Sequence, residues 1–479
     1  MTVAEAVHAL DGRAADWGLR RFLAPISATG ISLALGLCAA AWFTAGTRGG
    51  DVNGALALCG CYLAGRAARQ ADVPPGSQTR ERHRARPDLA GADLAGADLA
   101  GADLAGADRA GTGRAGTGRA GTGRAGTDRA QTDRAQTDRA QTDRTQTDRA
   151  GQLAVAGSAA AECAVYAGLA VGGDAAGWSG TWKVAVAVAI LAAVRQTMSA
   201  CGGATARQAE DWGVLNRAAE AVLTLPAGGG VLLIALTAPA GGPHAALSGL
   251  LAWNIAVVAC AIAGHRGDRA GVSEPGSGIR AAIVACRDDG AFARSAGRLV
   301  RGQLVPLPPA LAGLAAAVML AVLGLANLPG IIALTPLVVM LLAAPGCSHP
   351  HDGRVDWIVP AVLQAGQYVY IATLGFAARV PGPIIFALCA TIAVRSADLA
   401  YRGGTGMATG TGMATGSGMA TGSGAGTGMG WEGRMLAAGL GAILGVATLA
   451  YLALTAYLGV LICRKVLTSY LAPGEGDRR

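Results

Sequence analysis

The chain has 479 residues, of which 52% are hydrophobic and only 15% charged, with a net charge of +8 and a mean hydropathy of +0.40. A soluble domain carries about 25% charge, so this composition excludes an ordinary soluble globular domain. The expected fold class is all-α, a polytopic membrane helical bundle of about nine transmembrane helices carrying disordered low-complexity insertions.

At the N-terminus, Met1 to Arg21 contains acids and lacks a short apolar stretch ending in a small-residue cleavage site, so no signal peptide is expected and the first helix stays in the protein. An α-helix needs about 20 residues to cross the hydrocarbon. Runs of that order with at most one charge are Phe22 to Gly46, a shorter one from Val52 to Gly65, Leu153 to Gly173, Val184 to Val194, Ala218 to Ala238 and Ala245 to Gly264. Then come Leu307 to Leu328, Gly330 to Ala344, Ile358 to Ala378, Pro381 to Val394 and Met435 to Cys463. Between Ile358 and Val394 stand Arg379 and two prolines, which leave open two spans or one span and a surface helix. The count is therefore nine to eleven.

Two tracts interrupt this plan. From Asp88 to about Ala150 the sequence repeats every five residues, first as DLAGA, then RAGTG, then RAQTD. The opening units resemble a pentapeptide-repeat β-helix, with Leu89, Leu94, Leu99 and Leu104 as the inward residues. From Arg109 onward an arginine takes that place, and a charge buried unpaired in a narrow dry core costs several kcal/mol. The tract is therefore expected to be a disordered cytoplasmic insertion. The GMATGS units from Met407 to Gly430 read as a flexible linker; their glycines match GxGxxG without a preceding apolar strand, and no GxxxxGK motif occurs. The domain division expected is 1–87 (first two helices and a motif loop), 88–151 (repeat tract), 152–402 (central helices with the basic loop 265–301), 403–430 (linker) and 431–479 (last helix and tail).

Arginine distribution orients the bundle, because short loops rich in Lys and Arg stay cytoplasmic. Arg13, Arg20 and Arg21 precede the first run, six arginines from Arg66 to Arg86 follow the second, and seven from Arg266 to Arg301 follow the sixth. The turns Ala45 to Asp51, Gly172 to Gly180 and Thr237 to His244 carry little or no positive charge. The N-terminus is expected to be cytoplasmic, in a bacterial plasma membrane, with Arg464 and Lys465 fitting the alternation poorly. Most cysteines lie inside apolar runs with no CxxC spacing and read as small packing residues. Two basic loops on one side would frame a cavity suited to a phosphorylated lipid, whose anionic head arginines bind bidentately; alternatively they only fix topology and meet lipid headgroups. Membrane lipids are the expected partners, with no nucleic acid.

Three stretches carry a family resemblance: LRRFLAPISATGISLALG at Leu19 to Gly36, CYLAGRAARQADVPPGSQTRERHRARP at Cys61 to Pro87, and DWGVLNRAAEAVLTL at Asp211 to Leu225. Together they resemble the UbiA-type membrane prenyltransferase superfamily, whose 4-hydroxybenzoate polyprenyltransferase-like members have about nine helices and diphosphate-binding loops after helices two and six. In this chain the family's Asn-Asp pair falls on Arg69 and Gln70, its next Asp on Val73 and its last on Ser77, while Arg84 and Pro87 match and Asp72 lies one residue off. Glu220 stands where the family has Asn.

What the resemblance implies is transfer of an isoprenoid group from an isoprenoid diphosphate to an acceptor, with Mg²⁺ as cofactor. Asp72 and Asp268 would be the catalytic carboxylates, Arg69, Gln70, Arg82, Arg84 and Glu220 the substrate-binding residues, and Asp72, Asp268 and Asp288 the metal ligands. The eroded Asp motif keeps a second reading open: a non-catalytic relative that binds or moves a lipid-like molecule. Asp288 and Asp289 also admit a structural role, paired with Arg287 and Arg294. The CSHPHD run at Cys347 to Asp352 has alternate spacing open to zinc or to a plain loop, and His83 and His265 read as interfacial residues. Ionisable residues inside apolar segments are few, namely Glu162, Arg195, Arg217 and Glu220, and such groups usually face a bundle interior or cavity.

Overall fold

A computed structural model describes residues 25–71, 151–206, 228–267, 283, 286–300, 304–323, 330–349, 355–408 and 429–471. The chain forms two compact units, Met1–Ala68 with Asp148–Arg479, and Arg69–Thr147. Of the second unit only residues 69–71, the end of a helix, are described, so the repeat tract lies outside the described residues, as does most of the GMATGS linker.

Among the described residues the structure is all-helical, with no strand. In chain order come α1 (Pro25–Phe43), α2 (Arg48–Ala71), α3 (Gly151–Ala175), α4 (Thr181–Ala206) and α5 (Gly228–Gly267). A short helix α6 (Ala291–Val300) and α7 (Leu307–Leu323) follow. The next stretch is broken into a 3₁₀ turn at Gly330–Leu334, α8 (Thr335–Leu341) and a second 3₁₀ turn at Ala344–Ser348. Then come α9 (Val359–Ala377), α10 (Gly382–Ala408), α11 (Trp431–Ile443) and α12 (Ala447–Leu471). Six segments are long and apolar enough to cross a membrane: Gly151–Ala175, Thr181–Cys201, Gly229–Ala263, Asp356–Ala377, Gly382–Tyr401 and Ala447–Thr468. That is the composition of a helical membrane protein.

Small residues let these helices approach. Gly168 and Gly172 of α3 sit so close to the Ala40 and Phe43 carbonyls of α1 that a β-carbon at either position would overlap them. This is a small-xxx-small contact, the usual way to bring helix backbones together where lipid is as apolar as the side chains. Met340 of α8 is clasped in the same manner between Gly313 of α7 and Gly366 of α9. The core then fills from α3, α4, α9, α10, α11 and α12, with Tyr166, Leu169, Val188, Tyr368, Ile371, Leu388, Tyr451 and Leu458 each at most 2% exposed.

The helices have two distinguishable ends. One is made of tight reversals, each holding a residue at positive φ: Gly46, Gly177 with Gly180, Gly242, Arg379 and Gly445. Gly242 (φ 75°) folds α5 back on itself, since Gly230 faces Leu250 and Gly249 faces Leu233 across the bend, contacts a continuous helix cannot make. The low-charge turns read from the sequence meet at this end: Gly46 packs on Gly172, and Trp178 stacks on His244 with ring centroids 4.2 Å apart. The opposite end collects charge. Arg395, Arg434 and Asp288 join there, and Lys465 pairs with Asp398 one turn from Arg395. Gln152 at the start of α3 also bonds Asp398. Since α1 runs parallel to α3, the chain enters α1 and leaves α12 at the same end.

Two runs divide differently from expectation. Met435 to Cys463 is not one span but α11 and α12 joined at Gly445, because 29 uncharged residues exceed one crossing and a left-handed glycine reverses the chain. Ile358 to Val394 resolves into two long helices, α9 and α10, with Arg379 in the turn.

Three of the reversals use one device, in which the amide beyond the left-handed residue donates back over a whole turn: Trp178 to Gly173 O (3.0 Å), Val380 to Gly375 O (2.9 Å) and Val446 to Gly441 O (2.8 Å). Glycine occupies the left-handed position in two of them and Arg379 (φ 56°) in the third. A side chain there costs about 1 kcal/mol. Arg379→Gly is expected to raise the unfolding temperature in detergent, by the equivalent of up to about 1 kcal/mol, and Arg379→Val to lower it. A fall on substitution by glycine would contradict the cap.

Candidate functional site

At the charged end, loop residues 287–290 are joined to the start of α11 by a set of ionic and hydrogen bonds. Arg395 of α10 grips Asp288 with two bonds, Nε to Oδ2 and Nη2 to Oδ1, both 2.9 Å. Arg434 of α11 donates to the same Oδ2. Burial alone would keep the Asp288 carboxyl protonated to a higher pH, but the guanidinium groups of Arg434 and Arg395 outweigh it and hold its pKa below the usual carboxylate value. Asp289 accepts from Arg287 Nε (2.7 Å) and from the Trp431 indole (2.9 Å). The Glu432 carboxylate caps α6 from a distant part of the chain, taking the amides of Gly290 (3.1 Å) and Ala293 (3.3 Å) that the first helical turn leaves unpaired. Gly290 and Gly430 have no room for a β-carbon, which is why backbone meets backbone here.

From this cluster a polar seam runs inward across the bundle. Arg434, 1% exposed, donates Nη2 to Gln367 of α9 at 3.1 Å. One turn earlier on α9, Gln364 accepts from Thr197 of α4. Its neighbours on α4, Arg195 and Gln196, both reach Glu162 of α3, the first as an ion pair at 3.6 Å. Tyr166 also donates to Glu162. Glu162 and Arg195 side chains are 24% and 17% exposed, so the seam reaches the surface at that point. Several nitrogen donors along it find no acceptor among the described residues: Gln364 Nε2, Gln367 Nε2 and Arg434 Nε.

The residues singled out from the sequence fall into three groups. Asp72, Arg82, Arg84, Glu220 and Asp268 lie outside the described residues, as do His83, Arg217, His351 and Asp352. Arg69 and Gln70 belong to the last turns of α2. Asp288 is in place, but its carboxylate oxygens are taken by Arg395 and Arg434, and no group of three metal-binding side chains occurs among the described residues. Of the three expected metal ligands, Asp288 alone is among the described residues. Asp289 has the Arg287 partner read from the sequence, whereas Asp288 has partners 107 and 146 positions away in place of its neighbours. His349 lies 3.7 Å from Asp356. Glu162 and Arg195 are brought together, whereas Gln364, Gln367, Arg395 and Arg434 were missed; polar residues in otherwise apolar helices were the available signal.

Residues 278–471 match a family of unknown function (DUF5941), and residues 88–112 match pentapeptide repeats (8 copies). The second match agrees with the repeat read in the DLAGA units. No curated protein and no solved structure matches the chain. The first match contains Asp288, Gln364, Gln367, Arg395 and Arg434, and leaves out Glu162, Arg195 and Thr197.

Removing one partner of a buried ion pair leaves an uncompensated charge, so Asp288→Ala is expected to cost about 3 kcal/mol or more in detergent unfolding experiments. The folded pKa of Asp288 lies below its unfolded value of about 3.9. Its stabilisation is therefore full at neutral pH and lost as pH falls through the folded value. The gap between wild type and Asp288→Asn should hold at pH 7 and shrink on acidification below about 4. Equal stability of the two proteins at pH 7 would contradict the role assigned to this carboxylate.

Proposed function

We propose that the chain is an integral membrane protein that holds the oxygen-bearing head of an amphipathic, lipid-like molecule in the polar seam, without metal-dependent catalysis at Asp288. The observation that carries this reading is the set of buried donors without acceptors among the described residues, Gln364 Nε2, Gln367 Nε2 and Arg434 Nε. A buried donor left unmet costs about 1–3 kcal/mol, so a phosphate or carbonyl oxygen reaching the seam would recover that energy. Apolar helices on both sides suit the tail of such a molecule, and the half-buried Glu162 and Arg195 mark the way in. In the same reading the charged end faces the cytoplasm, because Arg and Lys collect there, and the chain crosses the membrane an even number of times.

A second reading, prenyl transfer, draws on the UbiA-type resemblance and on one geometric fact. The helix that stops just before Asp72 and the half of α5 that stops just before Asp268 both run toward the charged end. The reading requires those carboxylates to converge on one diphosphate.

Binding of a non-hydrolysable isoprenoid diphosphate to the detergent-purified full chain separates the two. Saturable binding without Mg²⁺, weakened about tenfold or more by Gln367→Leu, is expected from the seam, since each lost charged or polar contact is worth about 1.5 kcal/mol. Binding that needs Mg²⁺ and is abolished by Asp72→Ala or Asp268→Ala would overturn it in favour of transfer. No saturable binding at all would overturn both.

A further inference from the structure

The ten-residue helix α6 divides its surface into three strips. At 100° per residue, Ala293 and Gly297 point inward, and both are buried. Phe292 and Leu299, seven residues apart and so on one line, are 56% and 84% exposed. Arg294 and Arg298 share the remaining strip, on the far side of the buried one. Leu304 and Val305, just beyond the helix, are also about half exposed, at 48% and 49%. No acid among the described residues faces either arginine, and Arg298 donates only to its own helix, to Arg294 O and Ser295 Oγ at 3.4 Å each.

Ten residues are too few to cross a bilayer, and an isolated helix of this length is marginal in water. Here the helix is held from outside itself by the Glu432 cap and by contact with the 3₁₀ turn Ala344–Ser348. Holding a short helix so firmly while leaving a phenylalanine and a leucine outward costs exposure of apolar surface to water, which burial in hydrocarbon would reverse at about 25 cal/mol per Å². The order of the strips, apolar to one side of the protein contact and cationic to the other, is that of a helix lying along an interface.

We infer that α6 lies in the membrane interface, with Phe292 and Leu299 in the acyl boundary and Arg294 and Arg298 on the phosphates of anionic lipid headgroups. The charge complementarity selects the lipid surface over another protein as occupant: the two arginines have no acid beside them among the described residues, and an anionic leaflet supplies negative charge beside hydrocarbon.

The test uses the full chain reconstituted in phosphatidylcholine vesicles with or without phosphatidylglycerol, containing lipids brominated along the acyl chain. The emission added over wild type by Leu299→Trp should be largely lost to quenching, and that added by Arg298→Trp largely retained. Phosphatidylglycerol should deepen the quenching at position 299, and the double variant Arg294→Gln, Arg298→Gln in the Leu299→Trp background should abolish that gain. Unquenched emission at 299 would overturn the inference, pointing to a second copy if cross-linking shows a dimer and to water or another part of the chain if it does not. Quenching indifferent to phosphatidylglycerol in the protein with both arginines would overturn the headgroup contact. Because no isoprenoid ligand is involved, these outcomes are independent of the seam's.

Discussion

The half-buried carboxylate of Asp288, held between Arg395 and the buried Arg434, is the interaction on which the charged end of this bundle depends. It joins a loop ahead of α6, the middle of α10 and the first turn of α11, three pieces of chain far apart in sequence. Taking charges out of water is expensive, and the cost here is offset by charge-assisted bonds and by the Gln367 and Met429 oxygens that take further Arg434 donors, leaving Arg434 Nε without an acceptor among the described residues. Once Asp288 is fixed, Glu432 comes to the start of α6 and Gly430 to Gly290, so the short helix is held without any crossing of its own.

The two ends of the bundle follow opposite logics. One reverses the chain in as few residues as possible and uses left-handed backbone to do so, with small residues closing the helix pairs behind each turn. The other connects through longer, charged segments and neutralises what it buries by pairing. An ordinary hydrophobic effect does little between helices in lipid, so close backbone contact at one end and ionic pairing at the other carry the specificity of the fold.

Much of this was legible in the sequence. Apolar runs located most helices because the hydrocarbon sets their length, and the three low-charge turns did belong together because tight turns at one end need no arginine. What escaped has physical causes. The charge-free run from Val184 ends at Arg195, yet Glu162 pairs with that arginine and the helix continues to Ala206. Gly445 lay unseen inside an uninterrupted apolar stretch, since only its backbone angle distinguishes a reversal from a helical glycine. Sequence offers Asp288 only its neighbours as partners, whereas tertiary pairing supplies Arg395 and Arg434 from α10 and α11. The carboxylates expected to bind metal, Asp72 and Asp268, lie outside the described residues, and the polar seam was hidden because glutamines in apolar helices carry no motif.

The central claim is that Asp288 and Arg434 act as one unit, and a double-mutant cycle on detergent-purified protein tests it most directly. Unfolding free energies would be compared for wild type, Asp288→Asn, Arg434→Gln and the double variant. A coupling of at least about 1.5 kcal/mol, with the double variant less damaged than the sum of the singles, is the predicted result. Additive losses would contradict the account, because they would mean that the carboxylate and the guanidinium serve the structure independently.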